Sequence, residues 1–221
     1  DVYKRQPPSP PPGAAPGGGT SAPGAGGKKA PAEPRASSTD AQARVMKMAD
    51  GGFRPAFNAQ LAVDAATQLI AAVSVSNAGT DMQQMAPMHA TLTERYGRAP
   101  QHWLADGGFT ALAGIEALDE RGTAAIAPAP RARKQGAEPY APKRDDSDAV
   151  RRWRARMLEP ATAALYKLRG ASVECANAQL RRRGLHQFNV RGLNKAKAVL
   201  LWHALAHNLM RMRSLGFALK A

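Results

Sequence analysis

The chain has 221 residues, a single cysteine and a formal net charge of +14 at pH 7. One cysteine excludes a disulfide framework or a cysteine-based zinc site within the chain, and the longest apolar run is too short and polar to span a membrane. The excess charge lies in residues 131–221, with 20 Lys and Arg against 6 Asp and Glu, which favours nucleic acid as a partner over a merely solvated surface.

The first 36 residues are predicted to form a disordered tail. Residues 7–36 are rich in Pro, Gly and Ala, and such a segment buries too little apolar area to offset its ordering entropy. Residues 37–215 are long enough for one domain with a core of its own. The chain begins with Asp1 rather than Met, which indicates a fragment or a misjoined reading frame.

Apolar runs and turn residues predict strands and helices in alternation. Strands are expected at residues 40–48, 57–63, 69–75, 102–105 and 124–127, the second and third joined as a hairpin by residues 64–67. Helices are expected at residues 81–96, 112–120, 150–158, 163–183 and 195–212. Residues 129–148 are a loop, either a linker or a DNA-contacting arm. This order predicts an α/β fold, a mixed sheet flanked by helices.

Asp106 is the first residue that suggests chemistry. It follows a short apolar strand and precedes Gly107 and Gly108. Ligands bind at the carboxyl ends of strands in α/β sheets, and glycines let the backbone turn and leave room for a metal or phosphate. The alternative is a turn cap, a common role for Asp before Gly.

Glu174 is a lone acid in a basic stretch. Lys167 and Arg181 are each seven residues away, close to two helical turns, which predicts one shared face. The alternative is a surface ion pair. Two divalent ions held by carboxylates can catalyse phosphoryl transfer, so a third acid is expected from the first strands. The candidates there are Asp40, Asp50, Asp64 and Asp81.

Several motifs carry a family resemblance. Tyr166, Arg169, Glu174 and Arg181 form a Tyr-x2-Arg-x4-Glu-x6-basic pattern. Further stretches lie at residues 40–47, 51–64, 75–81, 104–109, 184–193 and 205–209. Together they resemble the catalytic region of DDE transposases, and most of all those of bacterial insertion sequences. The resemblance covers roughly residues 37–213.

The resemblance implies an RNase H-like fold with three carboxylates that bind divalent metal, Mg²⁺ or Mn²⁺, as two ions. Asp106 matches the second aspartate and Glu174 the glutamate. Asp40 is the expected first aspartate, on the strand before the hairpin, and Asp64 is the alternative. The implied reaction is hydrolysis of DNA at the element's end followed by strand transfer.

The resemblance also implies the partners. Arg169 and Arg181 match positions that hold DNA phosphates, Lys167 is grouped with them, and Tyr166 positions DNA or packs. The expected partners are transposon ends and target DNA, bound by a homodimer in the bacterial cytoplasm, associated with the nucleoid and not with a membrane. Gln42 stands where the family has a second acid, and the tail stands where a DNA-recognition segment is expected. Because of these departures, two alternatives to an active transposase stay open. One is an inactive DNA-binding remnant, and the other is a different RNase H-like nuclease such as a resolvase.

The remaining conspicuous side chains are expected to pack. Packing is predicted for the histidines and tryptophans and for the cysteine, and a buried polar contact for Asn208. The residues concerned are Trp103, Trp153, Cys175, Trp202, His203 and His207.

Overall fold

The computed structural model describes residues 35–48, 50–130 and 138–217. They belong to one compact unit, Pro34–Ala221, separate from the unit Asp1–Glu33. The predicted disordered tail therefore lies almost wholly outside the described residues, as does the middle of the 129–148 loop. No described helix combines the length and apolarity needed to cross a membrane.

The described strands form three two-stranded sheets. The antiparallel pair β1–β2 comprises Arg44–Lys47 and Phe53–Ala56, the antiparallel pair β3–β4 comprises Asn58–Val63 and Ile70–Ser76, and the parallel pair β5–β6 comprises His102–Leu104 and Ala124–Ile126. The predicted hairpin is confirmed, and strand β2 was missed. The fold is mixed α/β with small sheets. The described strands do not join into the single sheet that the sequence predicted.

The helices follow the predicted order with one interruption. Their bounds are Met85–Tyr96 (α1), Leu112–Asp119 (α2), Asp148–Met157 (α3), Pro160–Arg169 (α4), Cys175–Arg182 (α5) and Leu193–Ser214 (α6). Between α4 and α5 lies a π-helical turn, Gly170–Glu174. The uninterrupted helix predicted over residues 163–183 is therefore wrong at its centre, where i→i+5 hydrogen bonds widen the helix.

Helix α6 packs on the β3–β4 hairpin. Its Leu200 and Ala204 are buried against Ile70 and Val73 of β4. The Asn208 side chain accepts a hydrogen bond from the Ile70 N–H (2.8 Å) and donates to the Ile70 carbonyl (2.9 Å). The amide thus satisfies the main-chain groups at the start of β4. The predicted polar contact of Asn208 is confirmed, although the side chain is only partly buried.

A second core lies around Trp153, between α2, α3 and the β5–β6 pair. Trp153 is 1% exposed, packs with Leu118 and Val150, and donates its indole N–H to the Ala127 carbonyl (3.2 Å). Its predicted core role is confirmed. The same prediction is wrong for Trp202, which is 69% exposed, because α6 turns its opposite face toward the hairpin.

Histidine 89 is fully buried in α1. The Thr123 hydroxyl donates to the Pro100 carbonyl (2.6 Å), so it accepts from the His89 Nε2–H (2.7 Å). Burial, reinforced by nearby Arg121, lowers the pKa of His89 below its ordinary 6.5. Protonation therefore opposes folding.

This lowered pKa predicts a pH-dependent stability. In the unfolded chain His89 takes up a proton below about pH 6.5, whereas in the folded chain it resists until a lower pH. The part of the folding stability that depends on neutral His89 is therefore fully present above pH 6.5. It is lost as the pH drops toward the folded-state pKa of His89. We expect the Tm of His89→Asn to fall less than that of the wild type as the pH is lowered from 8 to 5. An equal fall in both proteins would show that His89 is not the source of the pH dependence.

Candidate active site

A cavity of about 1260 Å³ opens between β3, the strand β5 and the helical segment around the π turn. Four acids line it: Asp64, Asp81, Asp106 and Glu174. Asp40 is not among the described residues that line this cavity. The cavity therefore brings together two of the three expected acids, Asp106 and Glu174, with the alternative first acid Asp64 and the further candidate Asp81.

Asp106 lies at the end of β5, directly after the buried Ala105, and is half-buried. Its Oδ1 accepts a hydrogen bond from the Gly108 N–H (2.8 Å). A β-carbon on Gly108 would lie 3.0 Å from this oxygen, so a larger residue there would press on the carboxylate. Asp106 is thus a turn cap and also a cavity acid, and the two interpretations of the sequence do not exclude each other.

Asp81 reaches the turn that carries Asp106, on its Gly108 side. Its Oδ1 accepts hydrogen bonds from the side-chain amides of Asn58 (2.7 Å) and Gln60 (3.1 Å). Its Oδ2 would be 3.8 Å from the same β-carbon on Gly108. Because alternate residues of a strand point to one face, Asn58 and Gln60 together hold one oxygen and leave the other directed at the Asp106 side.

Asp81 is one of the candidate first acids, and the turn residues around it predicted the beginning of the first helix there. Helix α1 begins four residues later, at Met85, with Gln84 at the cap position. The Asp81 side chain instead accepts a hydrogen bond from Asn58 of strand β3. The signal that could have indicated this is the pair of amide side chains at Asn58 and Gln60, on one face of an otherwise apolar strand.

Glu174 ends the π turn. Its carboxylate accepts from the Arg169 guanidinium (3.1 Å), which lies over the Tyr166 ring (5.6 Å to the centroid). Arg169 and Glu174 are five residues apart, a spacing that a π turn brings onto one side of the helix. The Tyr-x2-Arg-x4-Glu part of the motif is therefore a contiguous group, with the Glu174 side chain 64% exposed.

The π turn also changes the expected basic face. Lys167 precedes the turn and Arg181 follows it, and both are exposed. The seven-residue spacing between Lys167 and Glu174 defines a shared face only in an uninterrupted α-helix. The π turn between them widens the helix and shifts this register, so the shared face of Lys167 and Glu174 stays a prediction.

Asp40 occupies a different place from the one expected. It precedes β1 rather than lying on it, and its Oδ2 accepts from the Gly192 N–H (2.8 Å). Gln42 accepts in the same way from the Leu193 N–H (2.9 Å). Both side chains thus bind N–H groups at the beginning of α6, which have no partner within the helix. The Gly192 hydrogen bond is the main reason that the pKa of Asp40 is lowered.

Asp64 lines the cavity, but its carboxylate forms hydrogen bonds within its own hairpin turn. It follows β3 directly, and its Oδ2 accepts from the Thr67 N–H (2.8 Å) and from the Thr67 hydroxyl. These bonds close the hairpin turn, a common role for Asp. Both acids expected in the first position thus have hydrogen-bonding roles in turns or caps.

The cavity acids differ in how well they suit a divalent metal. Within the described ranges, no group of three or more His, Cys, Asp or Glu side chains is arranged to hold a metal ion. Asp81 and Asp106 offer the carboxylate oxygens that Mg²⁺ prefers, and Mg²⁺ usually keeps several waters. Glu174 lines the same cavity but is paired with Arg169.

The family of the chain is shown by its sequence match to a known family. The chain matches the family model described as "Transposase DDE domain" over residues 19–209. The chain belongs to the DDE transposase family. No curated protein matches the chain, and no solved structure does.

Membership in the DDE transposase family confirms the resemblance drawn from the motifs. The matched domain supports a transposase function, in DNA transposition and recombination. DNA is the partner that this family implies, in agreement with the basic excess of residues 131–221. DDE transposases generally use divalent metals, which is consistent with the oxygen-rich Asp81 and Asp106 pair.

Proposed function

We propose that residues 37–215 form an RNase H-like catalytic domain that cuts DNA at the ends of an insertion sequence and joins the cut end to target DNA. Water attacks a phosphorus and the P–O3′ bond breaks, leaving a 3′-hydroxyl. That hydroxyl then attacks a target phosphorus and displaces a 3′-oxygen there. The observation that carries the proposal is the Asp81 and Asp106 pair beside Gly108, on a cavity that Glu174 also lines.

In this proposal Asp81 takes the first position, in preference to Asp40 or Asp64. The hydrogen bonds of Asp81 support this role, since two amides orient one oxygen and leave the other free for a ligand. Asp81, Asp106 and Glu174 would hold Mg²⁺ or Mn²⁺, as two ions. The bound metal supplies stabilisation of the phosphoryl charge and a water of lowered pKa.

The chain's own basic groups would bind the DNA. Arg169 is positioned over Tyr166 and presents its guanidinium beside Glu174, where a phosphate of the cut strand would be held. Lys167 and Arg181 would add exposed contacts nearby. Because two ends of one element must meet, we propose a homodimer on DNA, acting at the nucleoid in the bacterial cytoplasm.

An inactive DNA-binding remnant is the second candidate. One observation favours it: the Glu174 carboxylate is paired with Arg169 rather than grouped with Asp106. Such a remnant would retain salt-dependent DNA binding through its basic half and would not cut.

Nicking assays separate the two candidates. The substrate is a supercoiled plasmid carrying the DNA that flanks the coding gene, incubated with Mg²⁺ or Mn²⁺. We expect Asp106→Asn and Glu174→Gln each to slow nicking by more than the roughly 10–100-fold typical of changes around a metal's ligands. Their DNA dissociation constants should stay within about threefold of the wild type, because neither change removes a basic contact.

The control for this assay is Glu159→Gln, a carboxylate away from the cavity lining among the described residues. It should nick at the wild-type rate. Nicking that survives Glu174→Gln would exclude the assigned role of Glu174, and a wild-type chain that binds without nicking would favour the remnant.

A further inference from the structure

Gln68 has an unusual backbone conformation at the hairpin turn. Its φ is +60°, and among the described residues only one other non-glycine, Gln83, has a positive φ. Side chains with a β-carbon are strained in this region and remain there when surrounding contacts impose it. The contacts of Gln68 therefore indicate what the conformation is for.

Helix α6 holds the turn from one side. The main-chain carbonyl of Gln68 accepts from Nε2 of His207 (2.9 Å), which is buried. The neighbouring carbonyl, of Thr67, accepts from Nε of Arg211 (2.7 Å). These two bonds fix the turn's backbone to a long helix that is itself packed on the hairpin.

On the other side Gln68 reaches the π turn. Its side-chain Nε2 donates to the carbonyl of Ala171 (3.0 Å), 103 residues away. Within the turn, the Ser172 hydroxyl donates to the carbonyls of Leu168 (2.8 Å) and Arg169 (3.2 Å). Main-chain carbonyls in and just before the π turn therefore accept hydrogen bonds from two side chains. One is Ser172 in the turn itself, and the other is Gln68 of the hairpin.

The π turn in turn decides where Glu174 lies. Ala171 and Glu174 belong to the same five-residue turn, and π turns compete with the more stable α-helical hydrogen bonding. A return to α-helical geometry would rotate Glu174 relative to the cavity. The Gln68 amide binds the carbonyl of Ala171 and so opposes that rotation.

We propose that Gln68 is a positioning residue: it transmits the fixed geometry of α6 through the hairpin turn to the π turn, and so holds Glu174 at the cavity. The inference rests on the proposed function in assigning Glu174 to the metal. Gln68 itself touches neither metal nor DNA in this proposal.

Three substitutions test the hydrogen bond. Gln68→Gly keeps the left-handed backbone and removes the amide, and Gln68→Glu keeps the length but cannot donate to a carbonyl. Gln68→Lys restores a donor and is the rescue variant. Gln187→Gly, at an exposed site, is the control for loss of a glutamine. The readouts are amide hydrogen exchange of residues 170–176, Tm, and the Mg²⁺ dependence of plasmid nicking.

We expect exchange in residues 170–176 to quicken about fivefold or more in Gln68→Gly and Gln68→Glu, and to stay near wild type in Gln68→Lys and the control. Nicking should slow roughly 10–100-fold, with a higher half-saturating Mg²⁺ concentration and unchanged DNA affinity. A lower Tm in all three variants with unchanged Mg²⁺ dependence would overturn the inference by reducing Gln68 to a stability role.

The exchange measurement stands apart from activity. Unchanged exchange in Gln68→Glu overturns the inference, whatever the wild type does to DNA. Faster exchange together with a wild type that does not nick would refute the proposed function and leave the link between Gln68 and the π turn supported.

Discussion

Replacing Asp81 with Asn will reduce Mg²⁺-dependent nicking by about 100-fold or more, whereas Asp40→Asn will leave it within about threefold. Asparagine at residue 81 can still meet the Asn58 and Gln60 amides with its carbonyl oxygen, but it lacks the charge that a cation requires. Asparagine at residue 40 can still accept from the Gly192 N–H. Rates are measured on the plasmid substrate described above.

The comparison of these two variants distinguishes the structural assignment from the one expected from sequence. Both remove one negative charge, so a general electrostatic effect on DNA binding would appear equally in both. A large loss of nicking in Asp40→Asn with the wild-type rate in Asp81→Asn would return the first position to Asp40. Melting curves for both variants show whether a loss of nicking is a loss of fold.

Replacing Trp153 with Ala will lower the free energy of unfolding by about 3–5 kcal/mol. The side chain is 1% exposed, so its removal leaves a cavity, and the Ala127 carbonyl loses its indole donor. Trp202→Ala is the matched control, with an expected change below about 1 kcal/mol because the ring is 69% exposed. Urea unfolding of both variants measures the difference.

Equal losses in the two tryptophan variants would mean that Trp202 is covered in solution, for example by a second copy of the chain. Measurement at several protein concentrations separates that case, since the stability of an associated form rises with concentration. Equal and small losses would contradict the core around Trp153.

Local patterns predicted much of this fold. The β3–β4 hairpin, the β5 strand with Asp106 after it, and the helices α2, α3 and α6 depend on short-range periodicity and turn residues, which the sequence displays directly. Asp106 was found because a strand end followed by two glycines is itself a local feature. The family was found from motifs of the same short range.

The features that were missed depend on distant contacts or on small energy differences. Asp81 is paired with Asn58 and Gln60, over 20 residues away, and its spacing alone resembled a helix cap. The π turn differs from an α turn by one residue of register, which hydrophobic periodicity over residues 163–183 cannot resolve. Strand β2 carries Pro55 and a half-exposed surface, so its apolar signal is weak.

The hydrogen bond between Asp40 and Gly192 joins residues 152 positions apart. Contacts of such separation close a long loop, and the entropy of closure is lost before the contact is gained. We therefore expect the beginning of α6 to become ordered late in folding, after the hairpin on which the rest of that helix packs. During synthesis the chain must emerge at least as far as Gly192 before Asp40 meets its partner, and until then the apolar residues of α6 and the hairpin are open to misassembly.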